Sequence, residues 1–78
     1  MYMLREDGKV LANYTTFKVV ANATFSKDKK IALTGTTQGF AAEEDILAFY
    51  ADEKTAMDEL EKIFAAIKEG KTCYTIER

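Results

Sequence analysis

Asp45-Ile46-Leu47-Ala48-Phe49-Tyr50-Ala51-Asp52-Glu53 runs from an apolar segment directly into a polar, helix-forming one. The reading of this junction decides the fold. Asp52 has the side chain of an N-cap, able to accept from the unpaired amides of a first helical turn. With Glu53 it also sets negative charge at the positive end of the helix dipole. Downstream, Ala56, Leu60, Ile63, Phe64 and Ile67 fall on one side of a helical wheel, with Met57 at the flank. Lys54 with Asp58, and Asp58 with Lys62, stand at favourable i,i+4 positions. Lys68 suits the last turn, and Gly70 suits the position after it. A helix over 53–69 is therefore predicted. Phe64 is its expected anchor, against Phe17, Val19 and either Leu47 or Phe49. Ile46–Ala51 is apolar on both parities, the pattern of a strand covered on both faces, inside a sheet or beneath a partner.

Upstream, Tyr2–Arg5 and Lys9–Asn13 read as two short strands joined through Asp7-Gly8, a hairpin signal. From Thr15 to Phe25 the parity is clear. Phe17, Val19, Ala21, Ala23 and Phe25 form the set expected to face the helix, and Thr16, Lys18, Val20, Asn22 and Thr24 the set expected to face outward. Lys27–Lys30 is a polar turn, and Ile31–Thr34 returns antiparallel. Gly35 to Glu44 reads as a long loop. Thr72–Ile76 reads as a last strand with Tyr74 and Ile76 on one face. The expected fold is α+β: a single domain over 1–78 with an antiparallel meander of about five to six strands and one helix on one face.

The chain has 78 residues, a net charge of −2, one cysteine and no histidine, tryptophan or proline. Near-balanced charge speaks against a nucleic-acid footprint. No apolar run approaches the length of a membrane span, and the N-terminus lacks a signal-peptide core. A lone Cys73 cannot form an internal disulfide, so a cytoplasmic protein is expected. The missing histidine removes the commonest general base and metal ligand together.

The chemistry on offer is correspondingly thin. Glu43-Glu44-Asp45 is the one acidic cluster, but adjacent residues do not converge on a point, and such a run reads as a solvated loop. Cys73 has no histidine to generate a thiolate and reads as a small, buried strand residue. Gly35-Thr36-Thr37-Gln38-Gly39 lacks the Lys-Ser/Thr ending of a phosphate loop. No catalytic, cofactor or metal residue is assigned, and the protein is read as a non-enzyme.

The pattern Asp7-Gly8-Lys9, then Phe49-Tyr50 with Glu53, Ala56 and Leu60, then Gly70-Lys71 with Tyr74 and Ile76, resembles a group of short uncharacterised proteins of Firmicutes and their phages. The resemblance spans about half the chain. It implies the same fold and a bacterial or phage source, and it brings no activity.

What remains is binding. A core this small leaves crude stability accounting near zero, a gap that small folds often close by oligomerising. The expectation is a homo-oligomeric interaction module that binds a partner protein, with Tyr14, Thr16, Val20, Phe40 and Tyr74 as candidate contact residues. The alternative is a small-ligand binder, nucleotide-like in its target, that uses the 35–44 loop at a subunit interface.

Overall fold

The computed structural model describes residues 1–76. Its elements are β1 (Tyr2–Leu4), β2 (Leu11–Ala21), a 3-10 turn at Lys27–Lys29, β3 (Ile31–Thr37), β4 (Glu44–Tyr50), α1 (Glu53–Lys68) and β5 (Cys73–Tyr74). The strands form one mixed sheet in the order β4-β3-β2-β1-β5. Neighbours in the meander are antiparallel, and β5 alone runs parallel, beside β1. One helix packs on one side, so the α+β architecture expected from the sequence is the one observed. Among the described residues no helix is long and apolar enough to cross a membrane.

The helix ends follow the sequence. The Asp52 carboxylate accepts from the Thr55 amide at 2.7 Å, which closes the first turn. At the other end Gly70 takes φ +79°, and its amide donates to the Ile67 carbonyl at 3.0 Å.

The sheet departs from simple alternation at two bulges, and these decide which residues are inside. In β2, Tyr14 pairs with Thr37 and Thr16 with Thr36, so Thr15 is an extra residue. The insertion reverses parity along the strand. Ala12 and Tyr14 point inward before it, and Phe17 and Val19 after it. The segments expected as separate strands, Lys9–Asn13 and Thr15–Phe25, are therefore one strand with a kink. That strand ends at Ala21, and Phe25, expected inside, is fully exposed. In β4, Leu33 pairs with Ala48 and Thr34 with Ile46, which leaves Leu47 as the extra residue. Leu47 and Ala48 are consequently both buried. This bulge, rather than a position inside the sheet, accounts for the apolar residues on both parities, because β4 is a terminal strand in the sheet order.

The far side of β4 is engaged by the β1–β2 hairpin. The Glu6 amide donates to the Leu47 carbonyl at 2.8 Å, and the Glu6 carboxylate accepts from the Phe49 amide at 3.1 Å. Residues just past β1 thus reach back to β4, and the sheet is curled rather than flat. The clasp also occupies backbone groups that an open edge would present to other chains.

β3 continues through Gly35, so the loop expected over 35–44 contracts to the six residues between Thr37 and Glu44. A side chain at Gly35 would come within 2.9 Å of the Tyr14 ring and 3.0 Å of Leu47. Glycine stands there because an aromatic ring crosses the strand, not because the chain turns.

The core joins Met3, Tyr14, Leu33, Leu47, Ala48, Tyr50, Ala56 and Ile63, with Tyr74 and Ile76 packed at its margin. Helix α1 contributes Ala56, Glu59, Ile63 and Ala66. Of the predicted stripe, Ala56 and Ile63 are inside and Leu60 packs against the core. Phe64, the expected anchor, is 60% exposed, and Ile67 is exposed too.

Candidate functional site

Two of the five candidate contact residues are interior. Tyr14 is fully buried because the Thr15 bulge turns it inward, and its hydroxyl donates to Asp45 at 2.7 Å. Burial first, and then that hydrogen bond to a carboxylate, push the Tyr14 phenol up to about 12. It remains a neutral donor across the physiological range. Tyr74 is half-buried, and its hydroxyl donates to Glu59. The Tyr50 hydroxyl also donates to Glu59, at 3.5 Å. A carboxylate only 4% exposed on the inner side of α1 is thereby satisfied by phenols from two strands. Both pairs brace the fold; Tyr14 is wholly inside, while Tyr74 keeps part of its side chain at the surface.

The other three are outside. Phe40 stands fully exposed in the β3–β4 loop. Thr16 and Val20 lie on the sheet face away from the helix. Cross-strand register places Val20, Ala32 and Phe49 in one row on that face, and Lys18, Thr34 and Ile46 in the next. Ala32 and Thr34 are covered by these larger neighbours, while Val20 and Ile46 stay exposed. The Thr34 hydroxyl is buried in the face without a hydrogen-bond partner. Polar groups border the patch: Lys18 pairs with Glu44 at 3.4 Å, and the Lys29 ammonium stands 5.2 Å from the Phe49 ring centre. Sequence parity found Thr16 and Val20. It missed Ile46 and Phe49, because both were read as part of a doubly buried strand.

A second apolar surface lies on α1. Leu60, Ile63, Phe64 and Ile67 form a groove with Phe17 of β2, about 330 Å³ in volume. Met57 continues the exposed stripe toward the helix start. The Lys68 ammonium lies 5.0 Å from the Phe64 ring centre. The sequence contained the signal for this surface, since the same residues were assigned to the core.

A more polar cleft of about 830 Å³ separates the β1–β2 hairpin from β4 and the 3-10 turn, lined by Arg5, Asp7, Asp28, Lys29 and the outer edge of β4. Its charges are largely committed. Arg5 is paired with Asp7, which holds the Asp7 carboxyl below the usual carboxylate range. Among the described residues no group of three or more His, Cys, Asp or Glu side chains is placed to hold a metal ion. Cys73, expected buried, is exposed: on a two-residue strand it points opposite to Tyr74.

Compared with known proteins, the chain matches no family model, and no curated protein or solved structure is significantly similar to it. The fold therefore rests on the structure itself.

Proposed function

We propose that the protein is a small, non-enzymatic interaction module that binds a partner protein and associates with itself. One observation carries this reading: the fold leaves large apolar side chains exposed on the outer sheet face and on α1, on a total surface larger than a chain of its size ordinarily has. Its accessible surface is 5413 Å² at 8.8 kDa. A monomer of that mass ordinarily exposes about 4,800 Å². Val20 and Ile46 on the outer sheet face, and Met57, Phe64 and Ile67 on α1, are grouped as interaction sites are, while Phe25 and Phe40 stand apart in loops.

The outer sheet face, with Val20, Ile46 and Phe49 at its centre and Thr16 at its rim, is the surface assigned to the partner protein. An apolar centre with a polar border is the ordinary anatomy of such contacts. The ligand-binding alternative loses support, because Gly35 belongs to a strand and the remaining loop is short and exposed. A source in a bacterium or its phage rests on the sequence resemblance alone. A cytoplasmic setting draws support from the exposed, unpaired thiol of Cys73.

Affinity capture tests the reading with two baits, the wild type and Val20→Glu. Val20 is 37% exposed, so the variant keeps its fold, which circular dichroism verifies. A protein retained by the wild type and lost by Val20→Glu is the expected outcome. Equal retention by both baits would remove the sheet face from the proposal.

A further inference from the structure

The buried stripe of α1, Ala56, Glu59, Ile63 and Ala66, has a twin. Met57, Leu60, Phe64 and Ile67 repeat the same three-four-three spacing one residue later. That spacing is the a/d repeat of a helix that packs against another helix. It covers four core positions, about one and a half heptads and about 15 Å of axis at 1.5 Å per residue. The first stripe meets the sheet. The second faces solvent except where Leu60 and Phe17 shelter one another.

We propose that this second stripe is the seam of a homodimer in which two copies of α1 pack antiparallel about a two-fold axis. The proposal rests on the self-association proposed above and assigns it a site. A two-fold contact must be self-complementary. In the antiparallel arrangement Met57 of one copy meets Ile67 of the other, and Leu60 meets Phe64. All four layers are filled, and the large Phe64 is set against a smaller side chain.

Charge decides the direction. Lys54, Glu61 and Lys68 line one flank of the seam at seven-residue intervals. Helical side chains lean toward the N-terminus. Antiparallel packing therefore brings Glu61 of each copy toward Lys68 of the other, twice by symmetry. Parallel packing would set Glu61 beside Ala56 and Lys68 beside Ile63, with no charge matched. Lys68 already lies along the seam, over the Phe64 ring.

Sedimentation equilibrium of the full chain between about 1 µM and about 1 mM tests the seam. The wild type should reach twice its monomer mass within that range. Phe64→Asp, at an exposed site, should keep its circular dichroism spectrum and stay monomeric throughout. Glu61→Lys should weaken the dimer at least about tenfold, and Glu61→Lys with Lys68→Glu should recover most of that loss. Retained dimerisation of Phe64→Asp would overturn the seam. So would a dimer broken by Val20→Glu but not by Phe64→Asp, an outcome that keeps self-association and moves it to the sheet face. A wild type that stays monomeric at every concentration would overturn the seam and the self-association together, and would leave the partner-capture result standing on its own.

Discussion

The two stripes of α1 have one spacing and opposite fates. The buried one holds two alanines, an isoleucine and a glutamate, while the outer one holds an exposed methionine, phenylalanine and isoleucine and a half-buried leucine. By hydrophobicity alone the exposed stripe should have been inside. The fold chooses otherwise because small residues let the helix approach the sheet, and because Tyr50 and Tyr74 are placed to satisfy Glu59. Hydrophobic strength alone therefore does not decide which stripe meets the sheet. Here the larger side chains remain outside.

The largest expected effect separates the two stripes directly. Ile63→Ala should remove ~2–5 kcal/mol, because it leaves a void between helix and sheet. Phe64→Ala, followed by denaturant unfolding at concentrations where the chain is monomeric, should cost under ~1 kcal/mol despite its larger side chain. Comparable losses at the two positions would break the comparison and return Phe64 to the core. Next in size is a pair of glutamates. Glu59→Ala removes the carboxylate to which the Tyr50 and Tyr74 hydroxyls donate, at a cost of ~1–3 kcal/mol. Glu61→Ala on the outer side should change monomer stability by no more than ~0.5 kcal/mol. An equal response to the two changes would show that the carboxylate–phenol cluster does not hold the inner stripe.

Much of the fold was legible because its signals are local. Asp52 and Gly70 bound the helix, and Asp7-Gly8 closes the first hairpin, as their chemistry predicts. The strands from Phe17 to Val20 and from Ile31 to Thr34 were readable from parity and turn residues. What parity cannot show is an inserted residue. Thr15 and Leu47 carry no mark of being bulges, yet each reassigns its neighbours, and Tyr14 moves from candidate contact to core. Gly35 misled for a related reason. It looks like a turn residue and is a strand residue made necessary by a ring from β2. Of the candidate site, Thr16, Val20 and Phe40 lie on the surface, whereas the tyrosines are tied to carboxylates that only the tertiary fold brings near.

The interior tyrosine gives a pH test. The Tyr14 phenol lies above its ordinary value of 10.0, at about 12, because the folded state disfavours its ionised form. The stabilisation it contributes is complete below pH 10, and is lost as pH rises through about 12. Thermal melts across that window should show a steeper fall for the wild type than for Tyr14→Phe. Parallel curves would mean that Tyr14 titrates like a surface tyrosine, as its place among the candidate contact residues implied.

The smallest effect concerns β5, where neighbours divide as the helix stripes do. Tyr74 faces the core margin and Glu59, while Cys73 faces out, its thiol 3.8 Å from the Thr72 hydroxyl. The lone cysteine in a strand suggested a buried thiol. The parallel pairing of Cys73 with Tyr2, and of Tyr74 with Met3, puts the two on opposite sides. Met3 is buried and Tyr2 is exposed, so each β5 residue shares the environment of its partner. A thiol reagent should therefore modify Cys73 in the native protein at a rate close to that in denaturant, within a few-fold. Cys73→Ser should shift stability by no more than ~0.5 kcal/mol, and Tyr74→Ser by several times that. Labelling that requires unfolding would place the thiol inside, reverse the facing of β5, and detach Tyr74 from Glu59.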